Sequence, residues 1–212
     1  MASFDVISLF TEVPTTEACK IALELYIRYP NPTIEIPSNQ LATLIEFTTI
    51  KTNFMFNNQN YIQTNGLSMG NPVSPVLANI FMTQVETQAI NTALHPPLYW
   101  YRYVDDTVVG FKSAEHTLNF FNHINSIHPN INFTCEQEES NQISFLNLKI
   151  TRTDTQFKTE IHRKITHTGL YIPWDSAHET KQKLNILRNQ INTAIKLCSP
   201  DKINDELDKI KQ

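Results

Sequence analysis

The chain has 212 residues, 41% of them hydrophobic, enough for one large domain or one domain with an appendage. No run approaches the roughly 18 consecutive apolar residues of a membrane span, and the N-terminal stretch lacks the basic start and apolar run of a signal peptide, so an intracellular protein without a membrane partner is expected. The formal charge of −4 argues against a simple nucleic-acid binder, but it is segmental: residues 1–148 carry five basic against thirteen acidic residues, and residues 149–196 nine against four. A basic segment behind an acidic body either contacts phosphate or is a solvated face.

"SFDVISLFTEVP" opens the chain with a strand-like core that carries Asp5 and is stopped by Pro14. "TTEACKIALELYI" has Ala18, Ile21, Ala22 and Leu25 at helical spacing, with Thr15 or Thr16 as cap. After the Pro/Asn-rich connection "NPTIEIPSNQ", a second helix is predicted from about Ser38 to Thr52. "NFMFNNQNYIQT" reads as a hairpin around Asn57-Asn58, since asparagine tolerates the positive φ of such turns. "NGLSMGNPVSP" is a rigid loop, followed by a helix whose apolar face is Leu77, Phe81, Val85 and Ala89 and which is expected to pack on the sheet.

"LYWYRYV" and "TVVGF" are predicted strands with Asp105-Asp106 at the turn between them. A helix over Ala114–Ile127 comes next. "INFTCEQEESNQISFLNLKITRT" reads as a strand, an acidic turn and a second strand, and "QFKTEIHRK" as a third. "SAHETKQKLNILRNQINTAIKLC" opens with Ser176 and Glu179 in a capping-box pattern and continues with Leu184, Leu187, Ile191 and Ile195. The order implies an α+β domain, an antiparallel sheet with packed helices. Cys19, Cys135 and Cys198 are odd in number, far apart and without metal-ligand spacing, and are read as reduced structural thiols.

Two adjacent carboxylates between apolar strands repel each other unless a cation lies between them. Mg²⁺ takes oxygen ligands, one or two of them carboxylates, and leaves positions for substrate phosphates. Asp5 adds a third acid on another strand, and acids from adjacent strands suit two-metal phosphoryl transfer. Gly66 and Gly70 let the backbone approach a ligand closely, and the helix near Ser74 offers its N-terminal amides. For each feature there is a plainer alternative: an aspartate turn, a tight strand-to-helix connection, or a Phe10 buried in the core.

In order, "FDVISLF", "GLSMGNPVSP" and "YVDD" resemble motifs A, B and C of the reverse transcriptase palm. "FDVISLFTEVP", "MGNPVSPVLANIFM" and "ISFLNLKI" are similar to Penelope-like retroelements and their domesticated relatives. The resemblance implies a right-hand polymerase palm over 1–175 and the start of a helical thumb over 176–212. The fingers and endonuclease regions would be supplied by adjacent sequence. It implies Asp5 and Asp105 as metal ligands with the Val6 carbonyl assisting and Asp106 as the adjacent acid, for two Mg²⁺ ions with Mn²⁺ as substitute. Phe10 would be the steric gate against a ribonucleotide 2′-OH. Met69 and Gly70 would lie against the incoming dNTP and templating base, and Ser74 and Pro75 would open the supporting helix along the template and primer.

Lys149 and Lys158 would serve the phosphate region. Tyr171, Trp174, Lys181, Lys183 and Arg188 would touch the RNA template or DNA primer backbone. A eukaryotic element would place the protein in the nucleus. The resemblance departs at Asn147, where relatives often show an acid. The competing functions are an RNA-dependent RNA polymerase, which Phe10 opposes, a non-catalytic nucleic-acid-binding remnant, and a metal-dependent nuclease.

Overall fold

A computed structural model describes the whole chain except residues 32, 34, 35, 51, 165 and 212. It is α+β, with antiparallel hairpins, and divides into two compact units, residues 4–135 and residues 136–212 with 1–3. Among the described residues no helix is long and apolar enough to cross a membrane, and the three cysteines form no disulfide.

In the unit of residues 4–135 the sheet is ordered β4-β5-β1-β6, built from Tyr99–Tyr103, Asp106–Gly110, Ala2–Val6 and Phe133–Gln137. The outer ends of β1 and β6 run into the other unit. Strand alternation puts Ala2, Phe4 and Val6 on the buried face of β1. Phe4 is fully buried, its ring 5.9 Å from Trp100, 6.4 Å from Phe120 and 6.4 Å from Phe133. Aromatic pairs at these separations add to the area they bury, so this cluster is the centre of the core.

The helices follow their sequence patterns with local corrections. The opening strand is followed by one turn of helix not anticipated from the sequence, α1 (Leu9–Glu12), before Pro14. Helix α2 (Thr15–Arg28) begins at Thr15 itself, whose hydroxyl donates to the Gly66 carbonyl at 2.7 Å instead of capping. Helix α3 (Ser38–Thr49) ends earlier than expected; residues 32, 34 and 35 of the preceding connection, and Lys51, lie outside the described residues. The hairpin of β2 (Asn53–Phe56) and β3 (Gln59–Ile62) turns at Asn57 and Asn58, with φ of 48° and 59°. Helix α4 (Ser74–Thr92) buries Leu77, Phe81, Val85 and Ala89, and contacts α2, α1 and α5 (Ala114–Ile124). Ser113 caps α5 by accepting from the His116 amide at 3.2 Å.

In the unit completed by residues 136–212, "ISFLNLKI" is two strands instead of the single one expected. Strands β7 (Gln142–Phe145) and β8 (Leu148–Arg152) turn at Leu146-Asn147 with Leu146 at φ 54°, and β9 (Phe157–Ile161) pairs with β8. Helix α6 (Thr180–Leu197) starts later than the capping box predicts: its N-cap is Glu179 without a side-chain cap, and the Ser176 hydroxyl donates to the Pro173 carbonyl at 2.7 Å. The stripe Leu184, Leu187, Ile191, Ile195 is 37–55% exposed, and Ala194 is the one helix residue fully packed. A further helix, α7 (Ile203–Ile210), had not been anticipated. The α6–α7 connection is tied to β9 by reciprocal 2.8 Å bonds between Thr159 and Ser199.

Candidate active site

Alternation along β1 turns Asp5 to the face opposite Phe4, where it is exposed. Cross-strand partners share a face, and in the register Tyr103↔Asp106 and Arg102↔Thr107 only the second pair points with Trp100 toward Phe4. Asp106 therefore shares the open face with Asp5, on neighbouring strands. The hairpin turn falls one residue earlier than the sequence suggested, at Val104-Asp105, because Asp106 is already the first residue of β5. The Asp105 carbonyl accepts from the Val6 amide at 3.2 Å, which joins this turn to the end of β1 and places exposed Asp105 beside the same face.

Val104 carries the turn's positive φ, 57°. The left-handed region is costly for a β-branched residue and persists only where the surroundings impose it. Arg102 supplies the restraint: it donates to the Val104 carbonyl at 3.1 Å, to Asn79 Oδ1 at 3.0 Å and to Glu86 Oε1 at 2.5 Å, the last two on α4. Burial pushes the Glu86 carboxyl above its ordinary range, against the lowering effect of the Arg102 hydrogen bond and charge. None of these three residues emerged as functional from the sequence, although a lone Arg among the aromatics of β4 and a lone Glu among the apolar positions of α4 are the available signal.

The second group of residues meets at the loop. The Leu67 amide donates to the Phe10 carbonyl at 2.6 Å, so α1 and the glycine-rich loop share a backbone contact. Phe10 is half-buried, which leaves part of its ring accessible. Met69 is 77% exposed, and Gly70 stands at φ +94° in open space. Together with Phe54 and Gln63 they line an open cleft of about 700 Å³ beside the β2–β3 hairpin. Ser74 is 1% exposed and Pro75 exposed at the helix start, so in this arrangement the Ser74 side chain belongs to the packed base of α4.

The remaining predicted residues lie in the other unit. Lys183 donates to the carbonyls of Trp174 at 2.6 Å and Ser176 at 2.7 Å, with its ammonium 5.5 Å from the Trp174 ring centre. Tyr171 is half exposed, and Lys181 and Arg188 are exposed on α6. A cavity of about 570 Å³ is lined by Arg163, His167, Tyr171 and Gln190, among others. Lys149 pairs with Glu160 at 3.2 Å and Lys158 with Asp201 at 2.7 Å.

Among the described residues no three His, Cys, Asp or Glu side chains form a metal cage. The acids of β1 and the hairpin instead offer hard oxygen donors on an open face, the donor set that suits Mg²⁺ when substrate phosphates complete its coordination.

A family model described as "Reverse transcriptase (RNA-dependent DNA polymerase)" matches residues 1–159, and one described as "Animal helix-turn-helix domain" matches residues 170–212. The chain belongs to the reverse transcriptase family. Its fold is palm-like and similar to that of telomerase from Candida albicans, solved in complex with a TWJ fragment of telomeric RNA, with a TM-score of 0.65 at 12% identity over 99% of this chain and 37% of that one. An apo telomerase from Candida tropicalis, truncated from the C-terminal domain, aligns with a TM-score of 0.55 at 15% identity, over 75% of this chain and 35% of the other. The chain thus spans little more than a third of these telomerase chains. No curated protein sequence matches it.

Proposed function

We propose that this chain is the palm of an RNA-directed DNA polymerase from a Penelope-like retroelement. The observation that carries the reading is the placement of Asp5 and Asp106 on one open sheet face, with Asp105 joined to β1 through the Val6 amide. In the reaction the primer 3′-oxygen bonds to the α-phosphorus of a dNTP, its proton passes to solvent, and pyrophosphate leaves. Bound Mg²⁺, or Mn²⁺ in its place, would lower the pKa of the primer hydroxyl and offset the charge of the phosphates.

Asp5, Asp105 and the Val6 carbonyl would hold the ions, with Asp106 as the adjacent acid. Phe10 would sit under the sugar and exclude a 2′-OH, while Met69 and Gly70 border the cleft that takes the nucleotide and templating base. Ser74 and Pro75 would support that cleft from the start of α4. An RNA template is the substrate that the reverse transcriptase family description implies. Tyr171, Trp174, Lys181, Lys183 and Arg188 would contact the template and primer backbone.

The segment proposed as thumb-like, 176–212, and the helix-turn-helix match both include α6 and α7. Residues 203–210 carry three acids and one lysine, and Glu206 is bonded to Arg163 just past β9, so α7 is ill suited to enter a nucleic-acid groove and packs beside β9 instead. Basic, exposed α6 is the better candidate for phosphate. A eukaryotic retroelement origin would place the protein in the nucleus.

The test is primer extension on an RNA template with Mg²⁺ and dNTPs by the purified chain, beside Asp105→Asn, together with Mn²⁺ binding followed by electron paramagnetic resonance. Extension that Asp105→Asn abolishes is the expected result. A folded chain that neither extends nor binds Mn²⁺ overturns the proposal.

A further inference from the structure

We infer that Arg102 is a positioning residue for the carboxylate hairpin, clamping the strained Val104-Asp105 turn onto α4. The inference rests on the proposed metal role of Asp5 and Asp105 and goes beyond it, because it assigns the geometry of those acids to a residue that touches neither substrate nor metal.

The turn needs a restraint from outside itself. Two-residue hairpins favour Asn-Gly or Asp-Gly, residues that accept positive φ, and this one uses Val104 at 57°. One planar guanidinium reaches three acceptors on two elements: the Val104 carbonyl in the turn, and Asn79 and Glu86 on α4. The Arg102 and Glu86 side chains are 9% and 10% exposed, so the ion pair that anchors the fork to α4 is sheltered from water, while its bonds to Val104 and Asn79 lie at the surface. A lysine presents its donors from a single point and cannot span the same three acceptors.

The clamp also reaches the other acid-bearing strand. The residue after Val104 is Asp105, whose carbonyl accepts from the Val6 amide at 3.2 Å, and Val6 adjoins Asp5. A loosened turn would therefore release both the hairpin acids and the end of β1. A buried ion pair with a merely structural role would behave differently: its loss would lower global stability without singling out this junction.

The experiment uses the full chain, with Arg102→Lys, Glu86→Gln and Asp105→Asn. Amide hydrogen exchange, urea unfolding and Mn²⁺ titration by electron paramagnetic resonance are read for each. Arg102→Lys is expected to speed exchange at Val6 about tenfold or more relative to the Phe4 amide, and to weaken Mn²⁺ binding within the roughly 10–100-fold range typical of groups that orient ligands. Glu86→Gln keeps an acceptor for Arg102 and should stay close to the parent in both. If Arg102→Lys unfolds the chain, Asn79→Ala removes one exposed partner of the fork and should produce a smaller acceleration at Val6.

Unchanged relative protection at Val6 and unchanged Mn²⁺ affinity, in whichever of these two variants folds, would overturn the inference. Should Asp105→Asn leave Mn²⁺ binding intact, the metal-site reading fails on its own, and exchange at Val6 still decides the clamp.

Discussion

Gly66 lies directly on the backbone of Thr11: a Cβ at Gly66 would stand 2.6 Å from the Thr11 carbonyl oxygen, and the residue is held at φ +75°. Neither the conformation nor the space admits a side chain. Gly66→Ala is expected to cost about 1–3 kcal/mol, seen as a lower urea midpoint with unchanged slope. A midpoint equal to the parent's would show that the loop can detach from α1 freely.

Because the same loop bonds the Phe10 carbonyl through Leu67, the main chain that carries the Phe10 ring is anchored to it. In the proposed enzyme, Phe10→Ala should raise ribonucleotide incorporation relative to deoxyribonucleotide by about tenfold to a hundredfold, the range of shape discrimination in an apolar pocket. Single-nucleotide addition with paired rNTP and dNTP substrates measures the ratio. No change in it would return Phe10 to a packing role.

Asp5→Asn keeps the shape of the β1 side chain and removes its charge. If the acid holds an ion that stabilises the transition state by several kcal/mol, extension should fall about a hundredfold or more while the urea midpoint stays near the parent's. Equal rates would remove Asp5 from the site.

Glu138, in the unit of residues 136–212, offers a test of pH dependence. Its hydrogen bonds with Arg152, at 2.5 and 3.2 Å, hold its carboxyl below the ordinary value of 4.5. A lowered folded pKa means stability that is complete above 4.5 and lost as pH falls through the lowered value. Arg152 is 47% exposed, so screening limits the effect to at most about 1 kcal/mol. Glu138→Gln should therefore be less stable than the parent at neutral pH and converge with it in acid, as read from urea midpoints across the range. A gap that widened in acid would contradict the assigned pairing.

Much of the fold is written in residue periodicity. The i+4 series Leu77, Phe81, Val85, Ala89 identifies the buried face of α4, and Asn57-Asn58 identifies the β2–β3 turn through its tolerance of positive φ. The missed features share a cause, which is that tertiary contacts overrode local preference. Leu146 and Val104 occupy left-handed turn positions that residue statistics assign to glycine or asparagine, so local preference makes one hairpin look like a single strand and moves the turn of the other by a residue. Ser176 and Glu179 match a capping pattern, but the Ser176 hydroxyl is engaged with Pro173. The acids Asp5, Asp105 and Asp106 are legible as types at spacings, whereas the sheet face shared by Asp5 and Asp106 depends on strand order, and the Arg102 fork on a contact between β4 and α4.

The strained Val104 has a consequence for anyone engineering this chain. A glycine there would relieve about 1–2 kcal/mol of left-handed backbone cost against roughly 0.5–1 kcal/mol of extra chain entropy lost on folding, so Val104→Gly is a candidate for raising the melting temperature. Glycine also widens the φ and ψ range open to the residue before Asp105, and so loosens the turn that carries its carboxylate. In the proposed polymerase, thermal robustness and the placement of Asp105 would therefore be traded against each other at a single residue, and a heat-based screen would select a substitution that loosens the carboxylate turn.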